Sequence, residues 1–235
     1  MRYQLQNLWR RLPRRLIIIM LLGLSWWIVP HFRHCPPASR TRLTELLIPC
    51  DQIVAQALFT PQDNIAQTLI DLIENEQSAI QIAVYFITHF EIAAALVKAK
   101  LVNHVAVTVV TDPSHVDDSQ NSQIWFLQDN GIKVLVLDNP PPTTQSTAKR
   151  ALMHNKFAIF SKNISDRQLL VTGSFNYTIS AQKYNQENVV ILDLPQIIAK
   201  YQQQFHWLQA HATPLDSYAR KYLIGKEQAF GHFVR

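Results

Sequence analysis

Apolar and polar positions alternate along most of the chain in two different periods, and the change of period marks the elements. From Asn64 the segment NIAQTLIDLIENEQ places Ile65, Leu69, Leu72 and Ile73 at helical spacing. AIQIAVYF, Ala79 to Phe86, is rich in β-branched and aromatic residues and predicts a strand. Thr88-His89-Phe90-Glu91 reads as a capping box opening a helix that runs to Leu101. HVAVTVVT, His104 to Thr111, predicts a second strand, SQIWFLQDNG a helix ended by Gly131, and IKVLVL a third strand. After a polar loop opened by Pro140, Pro141 and Pro142, the runs KFAIF, QLLVTG and ENVVIL predict three more strands. Residues 177–184 are expected to be helical between the last two strands. PQIIAKYQQQFHWLQA forms a closing helix with Pro195 in its first turn.

Strands that first alternate with helices and then form a hairpin imply an α/β sandwich over a mixed sheet. A chain of 235 residues suffices for one such domain with appendages. The expected division is a basic N-terminus and hydrophobic segment over 1–32, a Pro-containing linker over 33–60, the domain over 61–212 and a tail over 213–235.

Charge adds to this picture only at the N-terminus. Arg2, Arg10, Arg11, Arg14 and Arg15 carry the whole net charge of +5, and the remainder balances 17 basic against 17 acidic residues. The excess therefore says little about the ligand of the domain. Those arginines precede Leu16 to Val29, fourteen residues without a charge, followed by Pro30, His31 and Phe32. The length is short for a spanning helix. Trp26 and Trp27 stand where an interfacial aromatic belt would lie, and no A-x-A site follows, so an uncleaved anchor is favoured over a cleaved signal peptide. The anchor reading makes residues 16–32 a membrane partner and puts the domain on the non-cytoplasmic, periplasmic side; a cleaved signal would give a secreted protein. Cys35 and Cys50, both beyond the anchor, either pair or remain free thiols.

The chemistry concentrates between Ala151 and Thr178, ALMHNKFAIFSKNISDRQLLVTGSFNYT. His154 and Lys156 are two residues apart and project together if they share a strand. Ser174 and Asn176 leave the end of the next predicted strand. A lysine supplies point charge to a phosphodiester, the hydroxyl and carboxamide supply neutral hydrogen bonds, and an imidazole can attack phosphorus. Glu187, at the start of the following strand, is placed to accept a bond from the other ring nitrogen of His154 and so fix its tautomer. The leaving oxygen needs a proton, and no second histidine in the chain has this setting. Two-fold symmetry supplies one if two chains share a site.

His154-Asn155-Lys156, then Gly173-Ser174-Phe175-Asn176, then Glu187-Asn188 resembles the signature of the phospholipase D superfamily. The upstream run of strands is similar to that of its single-motif members, small bacterial endonucleases and mitochondrial-surface enzymes described as cardiolipin hydrolases or piRNA-processing nucleases. The resemblance covers about residues 60–210 and implies an α/β/α sandwich, a homodimer and metal-independent chemistry through a phosphohistidine, with no cofactor. It also implies that His154 is nucleophile or acid, that Lys156 and Asn176 bind phosphate, that Ser174 supports them, and that Glu187 orients the histidine. The family usually has an aspartate five residues after the lysine; here that position is Ser161, with Asp166 further along the loop. Nucleic acid is the expected substrate and phospholipid the alternative; an idle binding module fits the intact residue set least. Asp112 reads as a turn-capping residue and His89 as part of its capping box. Tyr177 either stacks on a base or packs, and Lys149 and Arg150 either line the entrance or end a solvated loop.

Overall fold

The computed structural model describes residues 54–117, 121–138 and 151–221. Its elements follow in the order β1 (Ala55–Phe59), α1 (Ile65–Asn75), β2 (Ala79–Val84), α2 (Phe90–Leu101), β3 (Ala106–Thr111), α3 (Ser114–Asp117), α4 (Ile124–Asp129), β4 (Lys133–Val136), β5 (Lys156–Phe160), β6 (Leu169–Gly173), α5 (Ile179–Lys183), β7 (Asn188–Leu192), α6 (Pro195–His211) and β8 (Thr213–Pro214). A short 3-10 turn, Ile164–Asp166, joins β5 to β6.

The strands form one mixed sheet in the order β1-β7-β6-β5-β2-β3-β4-β8. β2, β3 and β4 run parallel through the crossover helices α2 and α4, and every other pairing is antiparallel. Successive side chains of a strand face opposite sides. Phe157 and Ile159 accordingly join Ala83, Val110 and Leu135 in a cluster closed by Ile198, Phe205 and Leu208 of α6. Lys156, Ala158 and Phe160 face the other side, opposite Val84, Ile82 and Ile80. Those positions are buried as well, so both faces of the sheet are covered. α1 and α2 pack on each other, through a helix whose buried stripe is Ile65, Leu69, Leu72 and Ile73.

The α/β class over a mixed sheet stands as the pattern predicted. Several boundaries differ. The expected linker over 33–60 contains β1, which pairs with β7 from Ala55↔Leu192 to Phe59↔Asn188. The expected tail over 213–235 begins with β8, which pairs with β4, and residues 215–221 are helical. The second strand starts at Ala106 because His104 has φ 57, outside the extended region. Thr88 does not cap α2. Its backbone N–H donates to Tyr177 O at 2.9 Å, which holds it outside the helix, and His89 takes the N-cap place without a side-chain cap bond. The Glu91 carboxylate lies 3.0 Å from the His89 ring instead of reaching back to the backbone. The proposed anchor, the two cysteines, Lys149 and Arg150 lie outside the described residues. Among the described residues no helix is long and apolar enough to cross a membrane.

Candidate active site

The site forms where four strand ends meet: the C-terminal ends of β2 and β6 and the N-terminal ends of β5 and β7. Register alone brings them together. Val84 stands opposite Lys156, Phe157 opposite Thr172, and Gly173 opposite Val189. The motif residues then lie at or just beyond the ends of neighbouring strands, although up to 33 positions separate them in sequence.

Lys156 is the first residue of β5 and is only 8% exposed. Its ammonium donates to the carbonyl oxygen of His154 at 2.8 Å and stands 5.1 Å from the centre of the Tyr85 ring. Burial pushes its pKa down to about 8, against the pull of the Glu187 carboxylate, which favours the charged form. His154 precedes the strand and is exposed. The two residues do not therefore share a pleat; the lysine reaches back along the backbone to the histidine's carbonyl. The His154 imidazole is held below the usual histidine pKa, first by desolvation and then by the Lys156 charge, while Asp112 works in the opposite sense. A neutral imidazole at pH 7 retains a lone pair for attack.

Ser174 directly follows β6, the strand beside β5. Its backbone N–H donates to Asn188 O at 3.0 Å, and its hydroxyl donates to Glu187 Oε2 at 2.5 Å while accepting from Asn188 N at 3.1 Å. Gly173 makes this approach possible: a Cβ there would lie 2.1 Å from Asn188 O, a backbone atom that cannot step aside. Asn176 turns its carboxamide oxygen toward the Phe86 N–H at 3.4 Å, next to the isolated bridge between Ile87 and Tyr177. Its amide nitrogen thus points away from that backbone contact and remains a donor for a ligand.

Glu187 is placed differently from the expectation. It makes no hydrogen bond to the His154 ring within the chain. One oxygen accepts from Ser174 and the other from Asn185 Nδ2 at 2.9 Å, and its own N–H donates to Thr60 Oγ1 at 3.0 Å. The reason is strand order: β6 lies between β5 and β7, so the residue just ahead of β7 meets Ser174 before it can reach His154.

Two residues outside the motif hold His154. Asp112, fully buried at the end of β3, accepts from the N–H of Met153 at 2.9 Å and from both the N–H and hydroxyl of Ser114. It caps its turn, as the sequence suggests, and also fixes the backbone immediately before His154. The Tyr85 ring lies 4.7 Å from the His154 ring, tilted by 55°. Tyr85 is the one contact residue with no signal in the sequence beyond strand propensity. Tyr177 is buried and packs near Phe175, which removes it as a stacking surface, and burial raises its pKa.

The loop after β5 explains Ser161. The Glu76 carboxylate, buried at the end of α1, accepts from the N–H groups of Ser78, Ala79 and Lys162 and from the Asn163 carboxamide. Asp166 is exposed and lies 3.4 Å from Lys162 Nζ. The turn is thus organised by a carboxylate from another element, not from position 161 or 166.

Comparison with known proteins agrees with this geometry. Residues 69–209 match the family model described as cardiolipin synthase, PLD-like domain. The chain is 28% identical to a mitochondrial cardiolipin hydrolase of Danio rerio over 216 residues, 84% of this chain and 85% of that one. It is 28% identical to a phospholipase D of Rickettsia typhi over 155 residues, 66% and 67% of the two chains. Among solved structures, NucT from Helicobacter pylori superposes with a TM-score of 0.62 at 21% identity, covering 70% of this chain and all of that one. Nuc from Salmonella typhimurium, a phospholipase D family member, gives 0.57 at 22% identity over 69% and 98%. The chain belongs to the PLD-like family, as a phosphodiester hydrolase in the single-motif branch of the phospholipase D superfamily.

Proposed function

We propose that two copies of this chain form one active site and hydrolyse the phosphodiester bonds of nucleic acid through a phosphohistidine. The observation that carries the chemistry is the pairing of an exposed imidazole, His154, with a buried ammonium, Lys156, tied to the histidine's own carbonyl. The neutral ring nitrogen of His154 attacks phosphorus; a P–N bond forms and the P–O bond to the leaving group breaks. The leaving oxygen takes a proton from His154 of the partner subunit. Water then attacks the phosphohistidine, returns a proton to that second imidazole, and the P–N bond breaks. Lys156 and Asn176 hold the non-bridging oxygens, and the Ser174–Glu187 pair fixes the strand end beside them. General acid assistance of this kind is worth about 10²–10⁴-fold.

Nucleic acid is favoured by the polar rim. Asn155, Asn176, Asn185 and Asn188 surround the motif, and carboxamides bind a sugar–phosphate backbone without demanding an apolar surface. Phospholipid is the second reading. Its support is that relatives aligned over most of this chain carry the names cardiolipin hydrolase and phospholipase D, and that Leu152, two residues before His154, is 47% exposed. In either case residues 16–32 would tether the domain to a membrane.

The test incubates the full-length chain and His154→Ala with single-stranded DNA, RNA, duplex DNA and cardiolipin vesicles, in EDTA. Cleavage of nucleic acid by the wild type alone is the expected result. Turnover of lipid without cleavage selects the second reading, and activity restored only by a divalent ion sinks the phosphohistidine scheme. Mixing wild-type and His154→Ala subunits should lower activity faster than in proportion to dilution, because mixed dimers lack one imidazole of a shared site.

A further inference from the structure

Two features of the site are unexplained by the motif. The His154 ring is exposed, and no side chain among the described residues forms a hydrogen bond to either of its nitrogens. An exposed imidazole without such a bond populates several rotamers, yet in-line attack needs one. The Lys156 ammonium has three protons and one hydrogen bond, to the His154 carbonyl, while being almost wholly removed from water. Both gaps are filled by the same group, the ring of Tyr85, with the imidazole centred 4.7 Å away and the ammonium 5.1 Å away.

The backbone that carries that ring is tied on both sides, and a second ring packs against it. The Tyr85 N–H donates to Asn155 O at 3.1 Å, which extends the β2–β5 ladder into the motif, and its carbonyl accepts from Thr111 Oγ1 at 3.2 Å. Phe86 stands edge-on to it at 4.3 Å and in turn meets the ring of His115 at 5.0 Å. His115 is buried and accepts the Ile87 N–H on Nε2 at 2.7 Å, which anchors the aromatic row to the backbone.

We propose that Tyr85 is a positioning residue for the reaction: its ring sets the orientation of the His154 imidazole and, by cation–π attraction, the place of the Lys156 ammonium. An aromatic pair of this kind contributes modestly beyond area burial, and a desolvated cation over a tyrosine face somewhat more. The ring faces do this work, and the hydroxyl has no part in it. The inference rests on the reading of His154 and Lys156 as the reacting pair.

The test compares the full-length wild type with Tyr85→Phe, Tyr85→Leu and His154→Ala. The substrate is bis(p-nitrophenyl) phosphate, a diester too small to need a nucleic-acid or lipid surface. The same proteins, labelled at histidine, are followed by NMR through the ring protons of His154, assigned by their loss in His154→Ala. Tyr85→Phe is expected to keep kcat within about threefold. Tyr85→Leu should lose about 10–100-fold in kcat with KM little changed, since orientation is lost and not substrate affinity. The His154 ring protons should carry an upfield ring-current shift in the wild type and Tyr85→Phe and lose it in Tyr85→Leu. Unchanged shifts in Tyr85→Leu, wild-type kcat in that variant, or a loss in Tyr85→Phe equal to that in Tyr85→Leu would overturn the role of the ring. Full turnover by His154→Ala would instead overturn the site itself, and the proposal with it.

Discussion

At the scale of single residues, the site depends on groups held in uncomfortable states. The Lys156 pKa falls from the 10.5 of a free lysine to about 8 in the fold. Between those values the unfolded chain binds the proton that the folded chain has lost, so stability rises with pH across that window. The charge that a phosphate needs disappears over the same window. In the free enzyme, kcat/KM should fall by about tenfold per pH unit above about pH 8, while the melting temperature rises. A pH series of both quantities checks this, and Lys156→Met should melt higher at pH 7 yet show no turnover. Gly173 is constrained by space. An alanine there meets the Asn188 carbonyl at 2.1 Å, so strands β6 and β7 must separate and take Ser174 with them. Gly173→Ala should cost about 1–3 kcal/mol in denaturant unfolding and most of the activity.

At the scale of elements, the strands with strong local pattern were legible in the sequence. KFAIF is β5 to the residue, and the expected strands QLLVTG and ENVVIL each differ from β6 and β7 by one position. Asn64, the first residue of the predicted helix, caps α1 through its side-chain oxygen, and Gly131, with φ +81, follows α4 as its spacing implied. Residue types and spacing singled out His154, Lys156, Ser174 and Asn176, and the sheet register sets them at the ends of adjacent strands. What local pattern did not reveal are the edges and the partners. β1 buries only Leu58, so it carries almost no amphipathic signal and owes its existence to pairing with β7. Glu187 was expected at the His154 ring because the order of strands in the sheet is not written in any one segment. Tyr85 and Asp112 meet His154 from β2 and β3, across register that only the folded sheet defines. Glu76 illustrates the same point. A carboxylate 85 positions before Ser161 accepts from the Lys162 N–H at the turn after β5 and from the Ser78 and Ala79 N–H groups at the start of β2. Glu76→Ala should destabilise the fold by about 3 kcal/mol, since buried donors lose their acceptor. Turnover by the folded fraction should persist, because the length of β2 separates this turn from the site. Ser161→Asp, which restores the residue usual in the family, should not raise kcat.

At the scale of the whole molecule, two flanks of the chain that share no motif close the two ends of the sheet. β1 lies at one edge and β8 at the other, with the strands that carry the motif between them. Membership in the family fixes the class of bond broken, while the choice between nucleic acid and lipid belongs to the surface around the four strand ends. A neutral domain with a carboxamide rim binds phosphate by geometry more than by field, so cleavage of nucleic acid should depend less steeply on salt than binding by a basic groove does.

The position of β1 bears on how the domain is cut out of its chain. Thr60 donates to Asn185 O and accepts from the Glu187 N–H, so the strand and the loop before β7 share a seam. A fragment beginning at residue 61, where the sequence pattern places the start of the domain, would leave β7 with a bare ladder of donors and acceptors. Such a ladder recruits strands from other molecules. That fragment should aggregate, or assemble edge to edge without activity, whereas one that keeps Val54 through Thr60 should remain dispersed and turn over substrate. Light scattering beside an activity assay distinguishes the two. The few residues ahead of the first helix thus act as a guard strand, shielding the sheet from its own copies.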